Sequence, residues 1–340
     1  MATKIKAGKS RAMKVAGTTR SKSAQRATAF KAAGSPILVA RRKPLKDIFG
    51  AVALTHPERV VFPADGVTKL DVAEYYRQVL PRLLAGIKGR PLSVIRCPAG
   101  ISGECFFQKH LTSGLKHVST VALKEESGST GDYVYVDDAD AVFELVQFNA
   151  LEFHPWGATA ADPEHAQYLV FDLDPAPEIA WARVAAAAVD VRDLLAKAGL
   201  ESFVRTTGGK GLHVVVPLRP APKWDKAKKF ARALAESFAA VRPGEFLAEA
   251  SKQRRDGKIF IDYLRNTRGA TSVASYSLRA RAGAPVAVPL RWAELKTIKS
   301  GDAFNIRNVP ERLRRMRADP WPGYDSLRQN LDGIAQLSGK

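Results

Sequence analysis

Apolar positions between residues 71 and 84 recur at the spacing of an α-helix. The side chains that share this face are Val72, Tyr75, Tyr76, Val79, Leu80 and Leu83. Positions three or four residues apart lie on the same side of a helix, so the spacing predicts an amphipathic helix over 71–84. Asp71 would stand in its first turn, where the helix dipole favours a carboxylate.

Two further helical segments follow in the second half of the chain. The first is an alanine-rich stretch over 179–198 that ends before Gly199, a residue type that often terminates helices. The second covers 224–241 and again carries apolar residues on one side. Both segments are long enough to cover one face of a sheet.

Short runs of apolar and β-branched residues separate the helices and indicate strands. They cover residues 92–96, 133–136, 168–173, 202–205, 212–217 and 259–263, and no internal repeat is present. A glycine-rich loop joins the runs 202–205 and 212–217, which favours a hairpin. The pattern therefore predicts an α+β fold rather than a doubly wound parallel sheet.

Positive charge is concentrated at the N-terminus. The formal net charge is +19, and residues 1–46 contain 13 Lys or Arg and no Asp or Glu. We predict that 1–46 form a disordered basic tail and that 47–340 form the folded domain. The tail is interpreted as a nonspecific DNA-tethering arm, with a plain linker or an organellar targeting peptide as alternatives. The remainder is also mildly basic, which fits a polyanionic partner.

Composition argues against a membrane protein or a secreted one. Hydrophobic residues make up 46% and charged residues 26% of the chain. No apolar run approaches the roughly 18–20 residues that span a bilayer, and no secretory signal core is present near residue 1. Cys97 and Cys105 lack the spacing of a zinc site, so we expect two reduced thiols in a reducing cytoplasm and no disulfide.

Two aspartates in the run 168–175 are the first candidates for chemistry. Residues two apart in a strand point to the same face, so Asp172 and Asp174 would project side by side. Paired carboxylates repel each other unless a cation neutralises them, and hard oxygen ligands favour Mg²⁺ or Mn²⁺. The simpler alternative is a strand with two polar residues ahead of a proline turn.

A third aspartate, Asp262, lies in the strand-like run 259–263, on the face opposite Ile259 and Ile261. Three strand-borne carboxylates are what a two-metal phosphoryl-transfer site requires. By itself, Asp262 would be interpreted as an ordinary exposed strand residue. The interpretation of Asp262 as part of a metal site depends on its occurrence together with Asp172 and Asp174.

The loop between the runs 202–205 and 212–217 is a candidate phosphate-binding segment. Its three glycines allow positive φ angles, so that successive N–H groups could converge on an anion. Thr207, Lys210 and His213 add donors or positive charge. The segment is not a Walker A loop, because the GK[ST] ending is missing and a strand follows it. A plain hairpin turn is the alternative.

Arginines near the predicted strands are candidates for binding a triphosphate, because guanidinium groups bind phosphate oxygens bidentately. They are Arg255, Arg265, Arg279 and Arg281. Rings at Phe107 and His154 could stack on nucleic-acid bases. Each arginine alone is also explained as a solvated surface group, and aromatic residues in such runs more often belong to a core.

Six motifs occur together in one order along the chain. They are FFQKH at 106–110, EFHPWG at 152–157, FDLDP at 171–175, TGGKGLH at 207–213, IDYLRN at 261–266 and YSLRAR at 276–281. In this combination the chain resembles the polymerase domain of bacterial ATP-dependent DNA ligase D, the end-joining member of the archaeo-eukaryotic primase superfamily. The resemblance covers about residues 48–335.

The resemblance implies a primase-polymerase-like core with mixed or antiparallel sheets flanked by helices. It also implies a polymerase that adds nucleotides, often ribonucleotides, to a primer 3′-hydroxyl at gaps and double-strand breaks during non-homologous end joining. The implied cofactors are two Mn²⁺ or Mg²⁺ ions, with NTP or dNTP as substrate. The implied partners are DNA with a 5′-phosphate, Ku and a DNA ligase, in the bacterial cytoplasm at the nucleoid.

The resemblance also assigns roles to individual residues. Asp172, Asp174 and Asp262 match the catalytic metal ligands. The residues that match nucleotide-binding positions are Thr207, Lys210, His213, Arg255, Arg279 and Arg281. Arg59 and Lys69 match groups that bind the DNA 5′-phosphate, and Phe107 and His154 match rings that stack on bases.

Two other classes of protein account for part of the pattern. A metal-dependent nuclease would need clustered carboxylates but no triphosphate-binding loop. A noncatalytic DNA-end-bridging protein would use the basic tail but would not need three strand-borne aspartates. The loop 207–213 and the arginines therefore favour the polymerase.

Overall fold

The computed structural model describes residues 49–125, 127–249 and 256–332, and all of them belong to one compact unit. The predicted tail over 1–46 and the candidate Arg255 lie outside the described residues. The α-helices are α1 (Lys69–Ile87), α2 (Ala139–Gln147), α3 (Trp181–Lys197), α4 (Trp224–Val241) and α5 (Asn308–Arg315). Short 3-10 helices cover Pro63–Asp65, Leu264–Asn266 and Trp292–Lys296.

The strands are short, and most lie before residue 220. They are β1 (Val60–Phe62), β2 (Val67–Thr68), β3 (Leu92–Arg96), β4 (Phe106–Gln108), β5 (Ser119–Lys124), β6 (Thr130–Tyr135), β7 (Ala150–Pro155), β8 (Tyr168–Pro175), β9 (Phe203–Thr206), β10 (Leu212–Pro217), β11 (Phe246–Leu247), β12 (Ile259–Asp262) and β13 (Pro289–Leu290).

A mixed sheet forms the centre of the described fold. Its strand order is β11-β12-β8-β10-β9-β13. Only β11 and β12 run parallel, and the other neighbours are antiparallel. Strands β9 and β10 are the hairpin that the glycine-rich loop predicted. Helices α3 and α4 pack on this sheet, and Leu169, Phe171 and Leu173 of β8 are buried in the same core as both helices.

A second, antiparallel sheet has the order β4-β3-β7 and lies beside the central one. Strand β7 is buried along its whole length, and helix α1 packs on it. The ring of Tyr76 packs edge to face on Phe153 at 5.1 Å. Strands β5 and β6 form a separate hairpin. This second sheet places the aromatic end of β4 near the polar face of the central sheet.

Helix α1 confirms the amphipathic helix predicted over 71–84, and its N-terminal cap explains where it begins. Thr68 and Asp71 form a capping box, in which the Thr68 hydroxyl accepts from the Asp71 N–H and the Asp71 carboxylate accepts from the Thr68 N–H. The cap starts the helix two residues before the predicted boundary, and the helix continues to Ile87. Among the described residues, no helix combines the length and the apolar character needed to cross a membrane.

The predicted α+β class with mixed and antiparallel sheets is confirmed. The predicted runs 92–96, 212–217 and 224–241 coincide with β3, β10 and α4. Strand β8 extends to Pro175, beyond the predicted end at 173, and therefore includes Asp174. Boundaries shift where caps and neighbouring strands decide where an element ends.

The expectation of two reduced thiols is wrong. Cys97 and Cys105 form a disulfide, with their Cα atoms 4.4 Å apart. Strands β3 and β4 are antiparallel, with Arg96 paired to Phe106. Cys97 directly follows β3 and Cys105 directly precedes β4, so the two cysteines face each other at the end of this strand pair. Their separation in the sequence gave no sign of this pairing.

Candidate active site

A row of polar residues crosses neighbouring strands of the central sheet. Asp172 of β8 lies directly opposite Asp262 of β12 on one side and opposite His213 of β10 on the other. Residues directly opposite each other in an antiparallel pair share a face. Asp174 follows on the same face of β8 and is exposed. The register thus brings the three predicted aspartates to one face.

A guanidinium group lies between two of these carboxylates. The Nε atom of Arg265 is 3.3 Å from an oxygen of Asp172 and 3.3 Å from an oxygen of Asp262. Arg265 is placed there by Asn266, whose side-chain amide exchanges hydrogen bonds with the backbone of Val170 on β8 at 2.7 and 2.8 Å. From the sequence, Arg265 was one of four arginines that were candidates for binding a triphosphate. Its contact with the carboxylates was not predicted.

The Asp172 carboxyl is held in its ionised form. Burial would raise its pKa, but the neighbouring His213 and Arg265 hold the pKa of Asp172 well below its usual range. A permanently charged oxygen donor suits a hard divalent cation. Among the described residues, no three His, Cys, Asp or Glu side chains are already gathered around a point that could hold an ion. The donor chemistry fits a metal, and Arg265 shows that a positive group fits between these carboxylates.

His213 is buried beside Asp172, with 2% of its surface exposed. Its Nε2 atom is 3.5 Å from an oxygen of Asp172. Burial lowers the pKa of His213 to about 4, although the charge of Asp172 opposes that shift. The imidazole is therefore neutral near pH 7.

The glycine-rich loop differs from the expected anion cradle. The N–H groups of Thr207, Gly208 and Gly209 donate within the protein, to the carbonyls of Gly211 and Gly301 and to the Thr207 hydroxyl. The Thr207 hydroxyl itself donates to the Gly211 carbonyl at 3.1 Å. These three N–H groups therefore do not converge on an anion, because they hold the turn closed. Several residues of the loop line the cleft, and the exposed Lys210 is the charged one among them.

Glycine is needed in this loop for close packing. Gly208 has a φ of +66°, and a Cβ there would lie 2.7 Å from the side chain of Arg279. A Cβ on Gly211 would lie 2.3 Å from the carbonyl oxygen of Leu173 on β8. The glycines thus let the loop pack closely against strand β8, which carries Asp172 and Asp174.

A buried carboxylate that received no role from the sequence organises two predicted residues. Glu152 of β7 is 3% exposed. One of its oxygens lies 2.8 Å from Nε2 of His154 and accepts from Nε of Arg279 at 2.7 Å. The other oxygen accepts from the Ala280 N–H at 2.7 Å. Burial would raise the pKa of Glu152, but His154 and Arg279 hold that pKa below its ordinary value. Its signal in the sequence was the Glu-x-His alternation of a strand.

The predicted site residues of the two sheets meet in one cleft of about 550 Å³. Among the residues that line it are Phe107, His154, Asp172, Asp174, Thr207, Lys210, His213, Arg265, Arg279 and Arg281. Phe107 exposes 61% of its surface and lies 5.4 Å from the His154 ring, centroid to centroid. An exposed aromatic ring beside a charged cleft is suited to stacking on a base. Asp262 is not among the lining residues, although it is paired with Asp172 in the sheet.

Arg59 and Lys69 do not line this cleft. Arg59 donates from a terminal nitrogen to the Pro98 carbonyl at 3.0 Å. Lys69 is only 3% exposed, and its ammonium group donates to the Thr55 carbonyl and to two oxygens of Gln147. Lys69 is therefore not placed to touch a ligand directly, whereas Arg59 lies nearer the surface.

The fold around this cleft is that of the primase-polymerase class of nucleotidyltransferases. The family model described as the LigD primase-polymerase domain matches residues 68–321, a span that contains the central sheet and the cleft. The chain belongs to the LigD primase-polymerase domain family. Members of this family are nucleotidyltransferases that need metal ions and nucleoside triphosphates.

Individual relatives agree with this assignment. The chain is 38% identical over 321 residues to the multifunctional non-homologous end joining protein LigD of Pseudomonas aeruginosa. It is 37% identical over 298 residues to the multifunctional non-homologous end joining DNA repair protein LigD of Mycobacterium tuberculosis. These alignments cover 93% and 85% of this chain but 38% of each relative, so the chain spans well under half of their length.

A solved structure matches as well. The polymerase domain of Mycobacterium tuberculosis ligase D, in complex with DNA, superposes with a TM-score of 0.73 and 34% sequence identity. The match covers 78% of this chain and 94% of that one. The resemblance stated from the sequence motifs is therefore confirmed at the level of family and fold.

Proposed function

We propose that this chain adds nucleotides to a primer 3′-hydroxyl at gaps and broken DNA ends, with two Mn²⁺ or Mg²⁺ ions. The observation that carries the proposal is the register that sets Asp172 between Asp262 and His213 on one face of the sheet. The matched M. tuberculosis domain was solved with DNA, and the matched relatives are end-joining proteins. We extend both to this chain, with Ku and a DNA ligase as its partners.

In the proposed reaction, the primer hydroxyl attacks the α-phosphate of a bound nucleotide and pyrophosphate leaves. Asp172, Asp174 and Asp262 would hold the metal ions, which supply neutralising charge and a more acidic 3′-hydroxyl. Lys210 and Arg281 line the same cleft and would neutralise the triphosphate. Most of the rate acceleration then comes from positioning and charge neutralisation.

Arg279 contributes in a different way from Lys210 and Arg281. Its Nε atom is occupied by Glu152, and a terminal nitrogen donates to the Thr207 carbonyl at 2.6 Å. It therefore fastens the glycine-rich loop to strand β7. We assign Arg279 to the shape of the nucleotide site, with its remaining N–H groups available to a phosphate.

Substitution of Phe107 tests whether its ring stacks on a nucleic-acid base. Phe107→Ala is expected to weaken binding of primer–template DNA or nucleotide by about 1–3 kcal/mol, the usual value of one base–aromatic contact. The exposed ring adds little to the core, so the unfolding midpoint should stay unchanged. Fluorescence anisotropy with labelled DNA, and nucleotide titration, measure the loss. Val241→Ala removes another exposed apolar side chain as a control, and equal affinities for the two variants would contradict stacking.

We also propose that Arg59 contacts the 5′-phosphate across a gap. The positive charge of the buried Lys69 would strengthen the attraction for that phosphate without touching it. Burial and the nearby charge of Arg59 lower the pKa of Lys69 to about 8. A lysine with a lowered pKa is cationic below that pH and loses its charge as pH rises through it. The electrostatic attraction of this patch for phosphate should therefore be strongest below pH 8.

This gives an expected pH dependence. The ratio of affinities for gapped DNA with and without the 5′-phosphate should fall between about pH 7 and about pH 9. Lys69→Met should lower the ratio and remove its change with pH, whereas the 5′-hydroxyl duplex corrects for general effects of pH. A ratio that stays constant in the wild-type protein would contradict the role of Lys69.

The experiment that tests the proposed function is extension of a labelled primer on a gapped duplex. Mn²⁺ and Mg²⁺ are compared, each with ribonucleotides and with deoxyribonucleotides. We expect metal-dependent extension that is stronger when the downstream strand carries a 5′-phosphate. Binding of the duplex with no extension under any of these conditions would overturn the polymerase assignment and favour end bridging.

A further inference from the structure

A buried arginine contacts residues of the cleft and also lines a second cavity of about 300 Å³. Arg205 belongs to β9 and is 6% exposed. Within the described part of the chain it forms no salt bridge with a carboxylate. Burial lowers its pKa, yet an arginine keeps its proton at any ordinary pH. A buried cation without a directly paired anion is costly, so its contacts require an explanation.

Two of its three side-chain contacts are to residues of the cleft, and the third, Ser275, lines the second cavity with it. Arg205 lies directly opposite His213 in the β9–β10 pair, and its Nε atom donates to Nδ1 of His213 at 3.1 Å. One terminal nitrogen donates to the Ser272 hydroxyl at 3.1 Å and the other to the Ser275 hydroxyl at 3.4 Å. His213 and Ser272 both line the cleft. Arg205 thus extends the row of Asp262, Asp172 and His213 by one strand.

The direction of the Arg205–His213 bond decides where the imidazole proton is. A guanidinium group has N–H donors and no acceptor, so Nδ1 of His213 must be the acceptor. A neutral imidazole carries its single proton on the other nitrogen. That nitrogen, Nε2, is the one that faces Asp172 at 3.5 Å. The chain therefore presents an N–H donor at this point of the cleft.

We propose that Arg205 is a positioning residue that holds His213 as the Nε2-protonated tautomer, so that an N–H donor points to the bound nucleotide. This inference rests on the proposed function, in which His213 contacts the triphosphate. The other tautomer would direct a lone pair toward Asp172 and the phosphates, which repel it. Arg205 acts through His213 and Ser272 and does not touch the substrate.

The shape of the guanidinium explains why an arginine stands here. Its planar fork reaches three acceptors on β10 and on the segment 272–275 with one side chain. A lysine at this position would offer a single point charge. Because the histidine ring and the serine hydroxyl are held by the same rigid group, their spacing in the cleft is fixed before a nucleotide binds.

The first test needs no turnover. The protein is labelled with ¹⁵N-histidine, and ring nitrogens are observed by NMR in the wild-type chain, with His213→Ala used to assign the signal among six histidines. We expect Nδ1 of His213 to be unprotonated and Nε2 to be protonated. In Arg205→Met, the tautomer should become mixed or reversed. Protonated Nδ1 in the wild-type protein would overturn the proposal, whether or not the protein extends primers.

The second test is kinetic. Arg205→Met is expected to raise KM for the nucleotide by about tenfold or more, because a hydrogen bond to a charged phosphate is lost or weakened. The change in kcat should be smaller. Arg205→Gln keeps side-chain N–H donors and should recover part of the loss. Arg219→Met removes a half-buried arginine away from the cleft as the matched control.

A double-mutant cycle separates positioning from general destabilisation. If Arg205 acts through His213, then adding Arg205→Met to His213→Ala should change KM little further. Independent, additive losses in the double variant would contradict the proposed route. If the wild-type protein itself does not extend primers, that result would instead count against the polymerase assignment. The NMR result on the His213 tautomer would still stand.

Discussion

Asp172→Asn is expected to slow nucleotide addition by about a hundredfold to a thousandfold, the usual cost of removing one group that stabilises charge in a transition state. Asp172 is the central member of the polar row, opposite both Asp262 and His213. Asparagine keeps the size of the side chain but removes the charge that neutralises a divalent cation. Primer extension under single-turnover conditions measures the loss.

The same substitution should leave the fold in place. Asp172 lies close to Asp174 and Asp262 as well as to Arg265, so removing its charge weakens one salt bridge but also relieves repulsion between carboxylates. DNA affinity measured without metal should therefore stay the same or increase slightly. Asp193→Asn changes an aspartate on the outer side of helix α3 and is the control. Extension by Asp172→Asn at the control rate would show that the metal ligands lie elsewhere.

Glu152→Ala is expected to lower the free energy of unfolding by about 3–5 kcal/mol, as when one partner of a buried ion pair is removed. The carboxylate receives Arg279 and the Ala280 N–H and is paired with His154. Its loss leaves the Arg279 guanidinium, whose side chain is only 16% exposed, without its carboxylate partner and leaves a cavity at the buried position of Glu152. Urea unfolding monitored by circular dichroism measures the change.

Two further variants show whether the loss of stability in Glu152→Ala comes from the charge of Glu152. Glu152→Gln keeps an acceptor for the Ala280 N–H but loses the charge opposite Arg279, so its stability should fall between those of the wild type and Glu152→Ala. Glu58→Ala removes an exposed carboxylate and should change stability by less than about 0.5 kcal/mol. A Glu152→Ala variant as stable as Glu58→Ala would mean that the buried network contributes little.

Local periodicity predicted much of the fold, and the reason is physical. The side-chain repeat of a helix or strand depends on neighbouring residues, so α4 and β10 could be recognised without knowing what they pack against. The DxD spacing set Asp172 and Asp174 on one face for the same reason. The ordered motifs then identified the family, which the relatives confirmed.

Contacts between distant segments could not be predicted in this way. The resemblance implied that Lys69 binds phosphate, but its burial against Gln147 depends on where helix α2 packs. The disulfide depends on the register of β3 and β4. Glu152 and Arg205 received no role from the sequence, because their importance comes from partners up to 128 residues away.

The sequence by itself determined the elements, the family and the types of side chain available for the chemistry. The tertiary structure decided which of those side chains meet. Strand order and register placed Arg205, His213, Asp172 and Asp262 in one row, although they are spread over 91 residues between 172 and 262. Local patterns record the repeat of the backbone, whereas the pairing of strands is fixed by the burial of the whole sheet.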